Sequence, residues 1–512
     1  MSTAVAAIAR ADFLDRARRP AFLLTVLGAL ALGFIAVPPE SARYAMVKVG
    51  AFRGVYDSAY VGMMLAMVGS LWLPMFGFFV VRGALTRDRE GGAGQILAAT
   101  PLRTATYLLG KYLGNLTVLA VMAAALALIA PVMQLLRGEA DALDPVALWL
   151  PLLLFCLPMS AVAAAAAVVF ESIPLLRGGF GNIAWFFVFP AIFLASIPPL
   201  HSETTAGFQA DVAAQYPGAN TEISIGLTME ENGLGRFIWS GQDLGLPVVL
   251  ASLALVLVAT LAAAAPALWF PRFDPARGRL AAPRPPDSTP NVAPAPASFS
   301  SHGRTSTPGQ QGNPWGRLLA GETRILLRGA SPWWWAGLAG LTVVALLVPE
   351  GAIGTVLLFA WLWPVLLWSR LGTHATEAGV DELLRCGPAA RRRLPAEWGA
   401  GVIVAAVAGA GPLLRMVIAT DLPGITAWLA GATLIPALAL LLGSIGRSAR
   451  VFQAVYLVLW YGILNDLAGV DIMGALRDDG RLTGPSPFLV LLVTAVLMAA
   501  ALLVQEVRHA HR

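Results

Sequence analysis

The sequence predicts an all-α polytopic membrane protein, and three observations carry that reading. Of its 512 residues 57% are hydrophobic and only 13% are charged, about half the charge of an ordinary soluble domain. The mean hydropathy is +0.70. Apolar runs of roughly 20 residues, each long enough to cross about 30 Å of hydrocarbon, recur along the whole chain. A helix satisfies its own backbone in lipid, so a bundle of helices follows. The alternating segments of about 10 residues that a β-barrel needs do not occur in the sequence.

Taken in order, residues 9–19 (ARADFLDRARR) form a basic amphipathic pattern suited to the membrane interface. Span 1 is expected at about 20–38, followed by a polar loop at 39–57 with Glu40, Arg43, Lys48, Arg53 and Asp57. Span 2, at about 58–81, leads into the most polar interruption of the first 200 residues, Arg82 to Lys111. Charges come first there (Arg87, Asp88, Arg89, Glu90), then Gly91, Gly92 and Gly94, then a short helical pattern ending at Thr100-Pro101. Spans 3, 4 and 5 follow at about 107–135, 147–170 and 182–199. An acidic loop at 200–244 precedes span 6 at about 246–269.

Residues 271–313 are rich in Pro, Ser, Gly and Arg. Such a stretch buries too little apolar area to offset its ordering entropy and reads as a disordered cytoplasmic linker. It divides the chain into domains at 1–270 and 314–512. The second domain opens with another basic amphipathic helix at 315–330. Spans 7 to 12 are expected at about 332–348, 353–369, 397–414, 424–444, 451–470 and 487–505, with Trp333, Trp334 and Trp335 as interfacial anchors of span 7.

Twelve spans put both termini on one side. The positive-inside rule makes that side cytoplasmic, together with the 82–111 loop, Arg391-Arg392-Arg393, the Arg447/Arg450 loop and the basic tail. The loop at 39–57 disagrees, being basic yet outside. The net charge of +5, almost wholly Arg, suits anionic lipid rather than nucleic acid. Cys156 and Cys386 lie in an apolar span and a basic loop, so no disulfide and no cysteine metal site is expected.

The halves share one order: interfacial helix, six spans, polar loop after the second span. EGGAGQILAATP (Glu90 to Pro101) and EAGVDELLRCGP (Glu377 to Pro388) align at one offset. Glu90 matches Glu377, Gly92 matches Gly379, Leu97 matches Leu384 and Pro101 matches Pro388. Duplication with pseudo-twofold symmetry follows, with an axis along the membrane normal.

The stretch DREGGAGQILAATPLRTATYLLGKYL resembles the signature of ABC-2 type transporter permeases, and the elbow helix, six spans and long loop between spans 5 and 6 fit that family. The resemblance covers most of 9–270 and, more loosely, 315–512. It implies the membrane subunit of an ATP-binding-cassette exporter in a bacterial inner membrane, moving an amphipathic drug, peptide or lipid. It implies coupling helices that dock a cytoplasmic ATPase, two copies per chain, in which ATP and Mg would bind. Carried onto this sequence, the first docking segment comprises Arg87, Asp88, Arg89, Glu90, Gly91, Gly92, Gln95, Leu97, Thr100 and Pro101. The second comprises Glu377, Gly379, Glu382, Leu384 and Pro388. The second copy departs from the pattern, with His374-Ala375-Thr376 at its start, Gly387 before the proline and Trp398 at the Lys111 position.

No GxxxxGK[ST] phosphate cradle occurs, so the chain carries no nucleotide site and no cofactor of its own. Lys111 is expected to snorkel to the interface. In the resembled family spans 2 and 5 face the partner half, which makes Trp185, Phe186, Phe189, Phe452, Tyr456 and Trp460 candidate path residues, with core packing as the alternative. Asn465 and Asp466 either line the path or cap a helix near water. A secondary transporter of the major facilitator type is the alternative class, but Gly83 to Gly92 fits its loop motif only with an added residue.

Overall fold

The computed structural model describes residues 2–40, 42, 44–229, 233–242, 244–273, 313–328, 330–377, 379–380, 390–478 and 481–510. The chain divides into two compact units, Met1–Val292 and Ala293–Arg512. Among the described residues, seven helices are long and apolar enough to cross a membrane, or up to nine if each of two bent pairs is one span. The described residues are thus those of a predominantly helical polytopic membrane protein. The expectation of twelve full-length spans is met only in part. Expected spans 1, 8 and 11 fall on the shorter apolar helices Thr25–Ala36, Ile353–Leu362 and Ala449–Leu464.

In unit 1, α1 (Ser2–Ala17) lies along α6 (Thr104–Arg137). Gly110 and Gly114 make that approach possible. A Cβ on Gly110 would stand 2.7 Å from Ile8, and one on Gly114 3.1 Å from Asp12, a small-residue contact common between membrane helices. Helix α2 (Pro20–Ala36) stops after 17 residues because Pro38 and Pro39 cannot continue it. Helix α3 (Ser58–Val81) starts at Asp57, whose carboxylate accepts the Tyr60 N–H at 2.8 Å. It turns at Gly83, φ 98°, into α4 (Ala84–Glu90), and Gly92, φ 74°, leads into α5 (Ala93–Ala99).

Helix α7 (Pro145–Ser172) widens to a π turn over Leu152–Cys156, between Pro151 and Pro158. The Ser252 hydroxyl of α10 (Leu246–Ala264) donates to the Leu154 carbonyl there at 2.6 Å, satisfying a group that the irregular turn displaces. Between α7 and α10 lie α8 (Gly179–Leu200) and α9 (Ser202–Gln215).

Residues 39–57 are not a plain loop. Strands β1 (Tyr44–Val49) and β2 (Phe52–Gly54) join β3 (Ile223–Met229) and β4 (Gly235–Phe237) in one sheet of order β3-β1-β2-β4. Helix α9 covers it, with Phe208 4.8 Å from Trp239 and 5.7 Å from Tyr60. Segments in one sheet share one face of the membrane. The four long apolar helices between β1 and β3 are an even number of crossings, as that requires. The loop that broke the positive-inside rule is therefore on the same side as the acidic 200–244 loop. Its Arg53 is neutralised by Glu139, at 2.5 and 3.0 Å, and Arg236 stands 3.7 Å from the same carboxylate. Burial pushes Glu139 up, but the Arg53 hydrogen bond and the Tyr56 N–H leave it below the usual carboxylate range.

In unit 2, α11 (Pro314–Leu327) and α12 (Pro332–Leu347) meet at 100°. Expected span 8 is broken into α13 (Ile353–Leu362) and α14 (Val365–Trp368) by Pro364, which lacks the N–H to continue the helix. A short helix α15 (His374–Glu377) follows. Expected span 9 bends by 62° between α16 (Ala390–Ala408) and α17 (Ala410–Ile418). At the joint, a Cβ on Gly409 would meet Trp428 Nε1 at 2.6 Å and Trp361 Nε1 at 2.7 Å. Helix α18 (Leu422–Gly446) packs on α20 (Pro487–Ala510) through Ala430, Leu434 and Val490. Helix α19 (Ala449–Leu464) ends after 16 residues.

Candidate functional site: an anchored hairpin tip

The 82–111 stretch is a helical tip tied down from three directions. Glu171, at the end of α7, is 1% exposed. Its carboxylate accepts the N–H groups of Ala84, Leu85 and Thr86 at 3.2, 2.8 and 3.1 Å, and that of Gly83. These are the orphan donors of the first turn of α4, and a carboxylate also suits the positive end of the helix. Arg82 donates to the side chain of Asn182 and to the carbonyls of Leu176 and, at 2.9 Å, Gly178.

The second anchor is ionic. Lys111 Nζ lies 2.9 Å from Asp88 Oδ2 and 3.0 Å from Asp12 Oδ1 on α1. The Tyr107 hydroxyl donates to Asp88 at 2.6 Å. Asp12 also faces Arg16 at 2.8 Å and Arg87 at 3.4 Å, and Arg16 donates to Asn115 at 2.6 Å. Burial pushes Asp12 up, yet Arg16, Lys111 and Arg87 outweigh it and hold the carboxyl below its ordinary range. Lys111 is 6% exposed and does not snorkel, because both of its acidic partners lie inside the junction. A cleft of about 590 Å³ opens between α1 and α4, lined by Asp12, Asp15, Arg87, Asp88, Glu90 and Lys111 among others.

The third anchor comes from residues 271–273, the start of the expected linker. Gly94 of α5 is buried where a Cβ would stand 2.8 Å from the Phe273 ring. Arg272 donates to the carbonyls of Ala98 and Thr100 at 3.2 and 2.9 Å, closing the C-terminus of α5.

What remains outward is a narrow face. Arg89, Glu90, Gly91, Gln95 and Pro101 are exposed, whereas Arg87, Asp88, Gly92, Leu97 and Thr100 are half-buried. Ile96, 72% exposed, is the apolar centre of that face. Of the second docking segment, Glu377 ends α15 and Gly379 has φ 67°, while Glu382, Leu384 and Pro388 lie outside the described residues.

The aromatic candidates are buried against residues of their own unit. Trp185 stacks on Phe78 at 4.5 Å, touches Phe189 at 5.0 Å and donates to the Met75 carbonyl at 3.2 Å. Phe186 is buried as well. Phe452 stacks on Tyr456 at 5.3 Å, and the Tyr456 hydroxyl donates to the Trp361 carbonyl at 3.0 Å. Trp460 donates to the Leu358 carbonyl at 2.9 Å. Asn465 and Asp466 are exposed in the turn that ends α19, with Asp466 at φ 58°.

Asp12, Glu171, Arg272 and Phe273 escape sequence reasoning. Glu171 had a signal, a carboxylate closing an alanine-rich apolar run, and Asp12 had another, its spacing of four from Arg16. No family model matches the chain, and no curated protein and no solved structure matches it.

Proposed function

We propose that the chain is the membrane-spanning permease subunit of an ATP-binding-cassette exporter. In this reading it has twelve spans in two six-helix repeats, each preceded by an interfacial helix. Both termini and the 82–111 tip face the cytoplasm of a bacterial cell. A separate ATPase, with its own ATP and Mg, docks on the exposed face of α4 and α5 and on the segment from His374 to Pro388. Closure of two ATPase copies would rock the repeats and move an amphipathic substrate such as a drug, peptide or lipid.

The supporting observation is the tip itself. Glu171, Lys111 and the 271–273 strap hold α4 and α5, while Glu90, Gln95 and Ile96 are exposed and Arg89, also exposed, lies over the Phe273 ring. A handle with an apolar centre and charged rim suits a protein partner that pushes on it. The permease-like motif in the sequence supports the same reading.

The test is co-purification of the detergent-solubilised full chain with a candidate ATPase, followed by ATP-dependent transport in proteoliposomes. Ile96→Asp is expected to abolish ATPase capture. Capture of no ATPase, together with unchanged ATP-dependent transport in an Arg89→Ala/Glu90→Ala variant, overturns the reading.

A further inference from the structure

At the junction in unit 2 that follows the same chain order as the unit 1 corner, the set of ionisable side chains differs. In unit 1, Asp12 and Asp88 share Arg16, Arg87 and Lys111. In unit 2, Glu322 of α11 and Glu397 of α16 share Arg393, with His374 of α15 completing the cluster. Glu322 and Glu397 are 6% and 7% exposed. Two buried acidic side chains thus share one arginine, in a place where unpaired charge is costly.

Hydrogen bonding fixes the histidine. Arg393 Nη2 lies 2.8 Å from His374 Nε2. A guanidinium can only donate, so Nε2 is the lone pair and Nδ1 carries the proton. Nδ1 faces the Arg370 carbonyl at 3.3 Å. This is the tautomer and backing of a metal-bound imidazole. Glu322 is held through one oxygen, whereas Glu397 is held through both, its Oε1 lying 3.0 Å from Arg393 Nη2, the group a metal would have to displace. Glu322 Oε1 accepts from Arg393 Nε at 3.2 Å, and Glu397 Oε2 accepts the Gly372 N–H at 3.1 Å. The other oxygens turn inward: Glu322 Oε2 and Glu397 Oε1 each lie 3.6 Å from His374 Nε2. Glu322 Oε2 has no hydrogen-bond partner among the described residues.

All three ligand atoms lie within 4.8 Å of one another. Atoms bound at about 2.0–2.2 Å to one tetrahedral ion stand about 3.3–3.6 Å apart, so two of the three separations already fit. We propose that Glu322, His374 and Glu397 form a divalent-cation site of the zinc class, in which Arg393 is the resident counter-cation that the metal displaces. One imidazole and two carboxylates favour Zn²⁺ over the all-oxygen ligation of Mg²⁺ and Ca²⁺. Arg393 sits in the first turn of α16 with its side chain 14% exposed, so the guanidinium has a route outward. The bound ion would tie α11, α15 and α16 together and supply positive charge to the two acidic side chains.

The test uses the purified full chain in a His509→Ala/His511→Ala background, which removes the chelating tail. After treatment with a chelator, zinc titration by calorimetry and elemental analysis is expected to give one ion per chain, and Co²⁺ a visible d–d band. His374→Ala and Glu322→Gln are expected to weaken binding at least tenfold. Arg393→Ala, which removes the competitor, is expected to tighten it. Thermal unfolding without metal shows that each variant is folded, and Glu397→Gln serves if one is not. No stoichiometric zinc in the background protein, unchanged affinity in folded His374→Ala, or loss of binding in folded Arg393→Ala overturns the proposal.

Discussion

Lys111 Nζ stands 2.9 Å from Asp88 Oδ2 and so joins the foot of one membrane helix to the tip of the preceding hairpin. Lys111 is also bound to Asp12, so removing its charge leaves two carboxylates short of a partner. Breaking a buried pair costs about 3–5 kcal/mol, and the lower end applies here because Arg16 and Arg87 still face Asp12. Lys111→Met is expected to lower unfolding stability by about 3 kcal/mol. The double variant Lys111→Met/Asp88→Asn is expected to recover part of that loss, and denaturant titration of the four proteins of the cycle measures it.

Glu171 is expected to matter through the backbone of α4 rather than through any charge pair. Glu171→Ala leaves three buried N–H groups and a half-buried one, that of Thr86, without their acceptor. The expected loss is about 2–4 kcal/mol, and hydrogen exchange at Ala84, Leu85 and Thr86 should accelerate selectively. Uniform acceleration across the unit would show a general packing defect instead.

His201 predicts a pH dependence. It lies beyond the span Gly179–Ser196, is fully buried, and stacks on Phe155 at 4.7 Å. Neither ring nitrogen has a hydrogen-bond partner among the described residues, and burial pushes the imidazole down to about 4. The folded state binds the proton less readily than the unfolded state. The contribution is therefore full above about pH 6.5 and is lost as pH falls toward 4, amounting to roughly 3 kcal/mol. His201→Phe is expected to flatten the stability profile between those limits. Equal slopes in the two proteins would rule this out.

Ile96 and Phe273 separate docking from folding. Ile96 is exposed, so Ile96→Asp is expected to change stability by less than about 0.5 kcal/mol while abolishing ATPase capture. Phe273 packs on Gly94 from behind, so Phe273→Ala is expected to loosen α5 and weaken capture indirectly. Limited proteolysis between Gly92 and Pro101 distinguishes the two, with faster cleavage expected only for Phe273→Ala.

The membrane class, most helix runs and the position of the hairpin tip were legible because they depend on local hydropathy. The breaks at Pro364 and Gly409 were legible only in part. A proline announces a break, whereas the glycine matters because Trp361 and Trp428 arrive from other helices. The fate of Lys111 was not legible, since its partner Asp12 is 99 residues away. Nor were the strands: Lys48 and Arg53 mark their segment as a polar loop until β3 and Glu139 are brought beside it.

The pairing of Tyr44 with Met229 also sets a timetable for synthesis. Strand β1 emerges early, but its antiparallel neighbour β3 follows only after four membrane crossings. During that interval the long edge of β1 has unpaired backbone groups, the condition under which strands recruit the wrong partner. Closure of so distant a contact is slow. The nascent first half is therefore most prone to aggregate between insertion of its first helix and emergence of residue 229, and a ribosome stalled in that window would leave a membrane-bound fragment with an open edge.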